Sequence, residues 1–218
     1  MSTPLNAPRL IKGGLALIDN QSGTIAGIIA LQYNPDTMTR SFQIKGVTGD
    51  SGDHQEALRL KGPPVETIKV DAEIDATDQL EAGDAQTLAT GIHAQLAAIE
   101  TIVYPASAHL FSNWSEESSG SLEIMPLQGP LTVFIFGANR IVPVRITELS
   151  ITEDAFDTQL NPVRAKVSLG MRVLTTDDLG FDNKGGGLFM AYLKAKEQLA
   201  AKNAPGTFNT LGITGLPI

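Results

Sequence analysis

The sequence predicts a mainly β protein, a β-sandwich or barrel with a flanking α-helix and a C-terminal helix. Two long stretches alternate strictly between apolar and polar residues, which is the pattern of a half-buried antiparallel strand. Only two segments carry apolar residues at helical spacing, and Gly, Pro, Asn and Asp punctuate the runs between them.

The first alternating stretch is Val65–Asp75, where Ile68, Val70, Ala72 and Ile74 interleave with Lys69, Asp71, Glu73 and Asp75. In the second, Val163–Val173, residues Val163, Ala165, Val167, Leu169, Met171 and Val173 face one way, and Arg164, Lys166, Ser168 and Arg172 the other. Further strands are expected at Leu10–Ile18, Thr24–Tyr33, Arg40–Ile44, Leu131–Phe136 and Ile141–Ile151. Asp19–Gly23 and Gly137–Arg140 supply hairpin turns. The spacing of Leu88, Ile92, Leu96, Ile99 and Val103 predicts one helix from about Asp84 to just before Pro105, with Gly91 inside it at a cost of about 1 kcal/mol. Leu188, Tyr192, Ala195 and Leu199 predict the second, and Lys184–Gly187 reads as a flexible connector into it. His109 follows a strand-like run, and Trp114 falls in a polar loop.

At 218 residues the chain is expected to form one β domain over residues 1–202, with an irregular, apolar tail at 203–218 suited to docking on a partner. A chain of this size buries roughly 70% of its extended surface, so its core needs no disulfide or metal staple, and there is no Cys to supply one. Lys45–Pro64, with four Gly and two Pro, reads as a long loop insertion, a length that usually signals function or disorder. A net charge of −8 argues against duplex nucleic acid as a partner. No run is long and apolar enough for a membrane span or a signal peptide, so membrane insertion is not expected and synthesis and assembly are expected in the cytoplasm.

No catalytic constellation emerges. The carboxylates Asp71, Glu73, Asp75, Asp78, Glu81 and Asp84 lack the Gly and Glu positions of a calcium loop. His54, His93 and His109 are scattered, and no G-x-S-x-G elbow exists. The Lys of Lys184–Gly187 precedes its glycines, the reverse of a P-loop. Trp114 fits either a sugar platform or an interface anchor. The expectation is a non-enzymatic protein with no cofactor and no metal. Its acidic outer row (Asp71, Glu73, Asp75) and basic outer row (Arg164, Lys166, Arg172, extended by Arg140 and Arg145) complement each other. Between subunits such a match would fix register, which makes these residues candidates for a subunit interface in a ring.

Four blocks carry a family resemblance. Leu31–Arg40 (LQYNPDTMTR) resembles the FQYNPETL-R signature near the start of tube-like baseplate proteins of phage-tail-like contractile injection systems. Lys61–Ile68 with Glu73–Asp78, Phe134–Val144 and Ile151–Val167 resemble the following blocks, in the same order. The resemblance implies a fold of the phage tail-tube type, with two packed antiparallel sheets and a flanking helix. It also implies a hexameric ring, an adaptor or tube initiator that joins a trimeric hub-spike protein to the inner tube protein beside other baseplate proteins. Tyr33, Asn34 and Pro35 then count as candidate interface residues because they lie in the signature, although turn chemistry alone also accounts for Asn and Pro there. The Lys45–Pro64 loop is expected to reach a neighbouring ring or subunit. The LysM module of some relatives is not expected here. The inner tube subunit itself is a close alternative, a carbohydrate-binding β-sandwich a more distant one, and a hydrolase the most distant.

Overall fold

A computed structural model describes residues 11–20, 22–46, 59–118 and 129–217. Seven strands run β1 (Gly14–Ile18), β2 (Ile25–Ala30), β3 (Met38–Gln43), β4 (Val65–Asp75), β5 (Leu131–Ile135), β6 (Ile141–Phe156) and β7 (Pro162–Val173). The helices are α1 (Thr77–Glu81), α2 (Ala85–Thr90), α3 (His93–Glu100), α4 (Ser107–Ser118), α5 (Thr176–Leu179) and α6 (Lys184–Ala201), and Phe208–Leu211 forms a 3-10 turn. The mainly β expectation holds, with six helices among the described residues in place of two.

The strands form one antiparallel sheet, ordered β2-β1-β5-β6-β7-β4-β3, instead of two packed sheets. The reason is β6. Its first residues pair with β5, while the stretch from Val144 onward pairs with β7, and the register shifts between Ile146 and Glu148. A bulge of this kind bends a long strand and raises its twist. One strand therefore serves both halves, and the halves fold toward each other. Leu15 of β1 and Phe134 of β5 share a core with Ile68 and Val70 of β4 and with Val167, Leu169 and Met171 of β7. Leu96 and Ile99 of α3 and Phe189 and Tyr192 of α6 close that core.

The helix expected from Asp84 to Pro105 is interrupted. Gly91 adopts φ +54, and a Cβ there would lie 2.2 Å from the Pro162 carbonyl oxygen. Only Gly tolerates both the left-handed backbone and that approach. Ile92 N–H donates to the same carbonyl at 2.9 Å, so the break ties α3 to the start of β7. Lys184–Gly187 is not a flexible connector either. It is the first turn of α6, capped by Asn183, whose side chain accepts from Gly185 N–H at 2.8 Å. A Cβ on Gly186 would lie 1.9 Å from the Gly180 carbonyl oxygen, so these glycines let two backbone segments touch.

The strand-like run before His109 and the loop holding Trp114 are in fact the end of a turn and the helix α4. The core of the Lys45–Pro64 insertion, residues 47–58, lies outside the described residues. Its base is pinned: Gly46 and Leu60 form an antiparallel bridge, and Lys61 N–H donates to the Lys45 carbonyl at 2.8 Å. This extends the β3–β4 pairing past the ends of both strands.

Candidate functional site

The two charged rows are neighbours in one sheet, because β4 pairs with β7. Asp75 faces Arg164, Glu73 faces Lys166 and Asp71 faces Ser168. Arg164 Nε donates to Asp75 Oδ2 at 2.9 Å, and Arg172 reaches Asp178 at 2.6 Å. One pair of the two facing rows, Asp75 with Arg164, is therefore satisfied inside the chain. Strand order is what the sequence could not supply. The Thr77 hydroxyl and N–H, with Arg164 behind them, hold the Asp75 carboxyl below the usual aspartate range. Arg145 stands on β6 opposite Arg172. Arg140 lies apart from the basic row, in the turn between β5 and β6, with Nη1 3.1 Å from Met38 Sδ and its guanidinium over the Phe136 ring.

The segment Leu31–Arg40 holds the curled sheet together. After β2 the chain crosses from one edge of the sheet to the other, and two side-chain amides stand in for a backbone ladder along the way. Gln32 accepts from Asp75 N–H at 2.9 Å and donates to the Asp75 carbonyl at 2.6 Å. Asn34 accepts from Gly13 N–H at 2.9 Å and donates to the Ile11 carbonyl at 2.8 Å. Leu31, itself buried, donates its N–H to Gly13. Gln32 is a positioning residue the sequence reading missed, since its partner lies 43 residues away.

Beyond this stitch, Tyr33, Asn34 and Pro35 meet Asp71, Glu73 and Lys166 around one open groove of about 760 Å³, which Ser150, Thr152 and Ser168 also line. Asp75, Arg140, Arg164 and Arg172 lie outside it. The groove offers neither His nor Cys. Among the described residues no cluster of His, Cys, Asp or Glu is arranged to hold a metal ion. Trp114 does not line this groove, so the aromatic and the carboxylates of a sugar site are not brought together there.

A second polar cluster, also missed, sits where β3, β4 and α6 meet. Glu66 is buried and receives Arg40 at 2.7 Å, Lys196 at 2.9 Å and the Tyr192 hydroxyl at 2.9 Å. Burial works to raise the Glu66 pKa, but the hydrogen bonds from Lys196, Arg40 and Tyr192 outweigh it and hold the carboxyl below its usual range. Burial, with the charge of Glu66, pushes the Tyr192 hydroxyl up to about 12. The cluster clamps α6 to the sheet.

The remaining surface is unusually apolar in three places. Strand β2 (IAGIIA) lies at one edge of the sheet with no charge and no buried residue, Ile25 and Ile28 being largely exposed. Helix α4 presents Leu110, Phe111 and Trp114 to solvent, and the tail presents Phe208, Leu211 and Leu216. Between β2 and α3 an apolar groove of about 350 Å³ opens onto the core. Among the described residues the opposite edge strand, β3, also has no partner on its outer side.

No family model matches the chain, and neither does any curated protein. Several chains of solved structures show similarity to it, two of which follow. A chain from the tail of an empty gene transfer agent particle with C6 symmetry is 17% identical, with 74% of this chain and 90% of that chain covered and a TM-score of 0.29. A chain from the virion of a native gene transfer agent particle is 16% identical over the same shares, with a TM-score of 0.27.

Proposed function

We propose that this chain is a non-enzymatic structural subunit of a phage-tail-like contractile particle, a ring-forming baseplate adaptor between the hub-spike and the inner tube. The observation that carries the reading is that, among the described residues, neither edge strand has an outer partner, and one of them, β2, is uncharged and unburied. An edge of that kind is an aggregation hazard in a monomer, and closure into a ring removes it. Strand addition at such an edge also gives strong joints that tolerate sequence change.

The outer face of β4, β6 and β7 supports the same reading. Lys69, Asp71, Glu73, Ser150, Thr152, Arg164, Lys166 and Ser168 cover it with small polar groups and charges of both signs. A hydrated wall of mixed charge adheres poorly to whatever passes along it, which is what the lining of a conduit requires. The four signature blocks add the resemblance that points to the baseplate, and in the first of them Gln32 and Asn34 hold the sheet's curl.

Electron microscopy of the purified chain, alone and mixed with a hub-spike protein, tests the assignment. Six copies per particle in a single ring are expected. More than a hundred copies in stacked rings would assign the chain to the tube itself. A chain that stays monomeric at high concentration and ignores both spike and tube proteins would end the reading.

A further inference from the structure

We infer that α4 of one copy seats its Leu110–Phe111–Trp114 face in the apolar groove between β2 and α3 of the next copy, giving the ring a head-to-tail joint distinct from its strand edges; this rests on the ring reading above.

Among the described elements none packs extensively against α4, and Leu110, Phe111 and Trp114 are 53%, 72% and 67% exposed. Spaced at i, i+1 and i+4, they form one side of the helix, as in helices that dock into apolar grooves. Aromatic and large apolar side chains of this kind dominate interface energies. The acceptor has a floor of core residues, including Val167, Leu169 and Ile74, and walls of small side chains, Ala30, Ala94 and Ala98. Ile28, 69% exposed, stands at its rim. At about 350 Å³ it falls within the size range of pockets that hold bulky apolar guests.

Area sets the strength of the joint. Aromatic side chains bury about 150–250 Å² each, so at their exposure the three α4 residues withhold roughly 350–400 Å², and a matched joint covers roughly 700–800 Å² in total. That is below the ~1,200 Å² of a standard interface, so one joint alone is weak. Donor and acceptor are different patches of the same chain, so the contact is heterologous and every copy in a closed ring makes it twice. Ring closure then supplies by effective concentration what a single joint lacks.

The chain has one tryptophan, which makes the joint directly readable. Trp114 emission is expected at a solvent-exposed wavelength in the dilute monomer and to shift blue as sedimentation equilibrium shows association at high concentration. Phe111→Ser and, separately, Ala98→Arg are each expected to weaken association at least tenfold with melting unchanged, because both positions are exposed. The double variant is expected to weaken it no further, because the two act on one joint. Additive effects, association without a blue shift, or unchanged association in either variant would overturn the joint. A blue-shifted emission at monomer mass at every concentration would overturn it too, by showing α4 folded onto its own groove. So would a bound small molecule or lipid found in the groove by native mass spectrometry. Rings that still form on the hub-spike protein with Phe111→Ser would sink the joint and leave the ring reading standing.

Discussion

Two regions of the molecule use similar apolar residues to opposite ends. In the body formed by β4, β5, β6, β7, α3 and α6, Phe134, Ile68, Met171 and Val167 are almost completely buried. At the periphery, formed by β2, α4 and the tail, Ile28, Trp114, Phe111 and Leu211 are mostly in water. The body spends its apolar surface on its own stability. The periphery withholds that surface from the single chain, as the proposed ring subunit requires.

The largest expected effect sharpens that contrast. Phe134→Ala should cost about 3–5 kcal/mol in denaturant unfolding of the isolated chain, while Ile28→Ala should stay within about 0.5 kcal/mol. Equal costs at both positions would erase the distinction. Next comes Gly186→Ala, expected to cost about 1–3 kcal/mol through overpacking against Gly180. It belongs to the body, and its thermal melting should show it without any change in association.

The Glu66 clamp tests the body's dependence on pH. An unfolded glutamate titrates near ~4.3, and the folded one lies lower, so the stability it contributes is present above that value and is lost as pH falls through the folded pKa. Glu66→Gln should cost about 1–3 kcal/mol at neutral pH and flatten the acid side of the stability profile. An unchanged acid limb would place the titrating groups elsewhere. The smallest effect is expected at Arg164→Gln, which loses the half-exposed pair with Asp75 and should cost under about 1 kcal/mol. If it instead abolished ring formation, the charged rows would act between copies as well as within one.

Much of the body was legible because alternation leaves a local trace. The run Val65–Asp75 is β4 to the residue, and Val163–Val173 misses β7 by one. The helix through Leu88 to Val103 was misread as continuous because Gly91 carries a cost of about 1 kcal/mol in sequence terms, whereas its contact with Pro162 is a tertiary fact. Helix α4 leaves no period in the sequence, because its three large apolar residues are too few to establish one against polar neighbours. The meeting of Tyr33, Asp71 and Lys166 around one groove leaves no trace in the sequence, because it depends on where the chain crosses the sheet after β2.

The sequence by itself determined which faces are apolar, which residues alternate, and that no thiol chemistry is open to the chain. Side-chain period and composition are local properties, so they survive reading in one dimension. The tertiary structure alone decided strand order, and with it that Asp75 and Arg164 neutralise each other within one copy. It also decided that Gln32 and Asn34 hold the sheet's curl, and that β2 and α4 remain uncovered. Those outcomes depend on contacts between residues tens of positions apart, whose geometry is fixed only when the whole sheet closes.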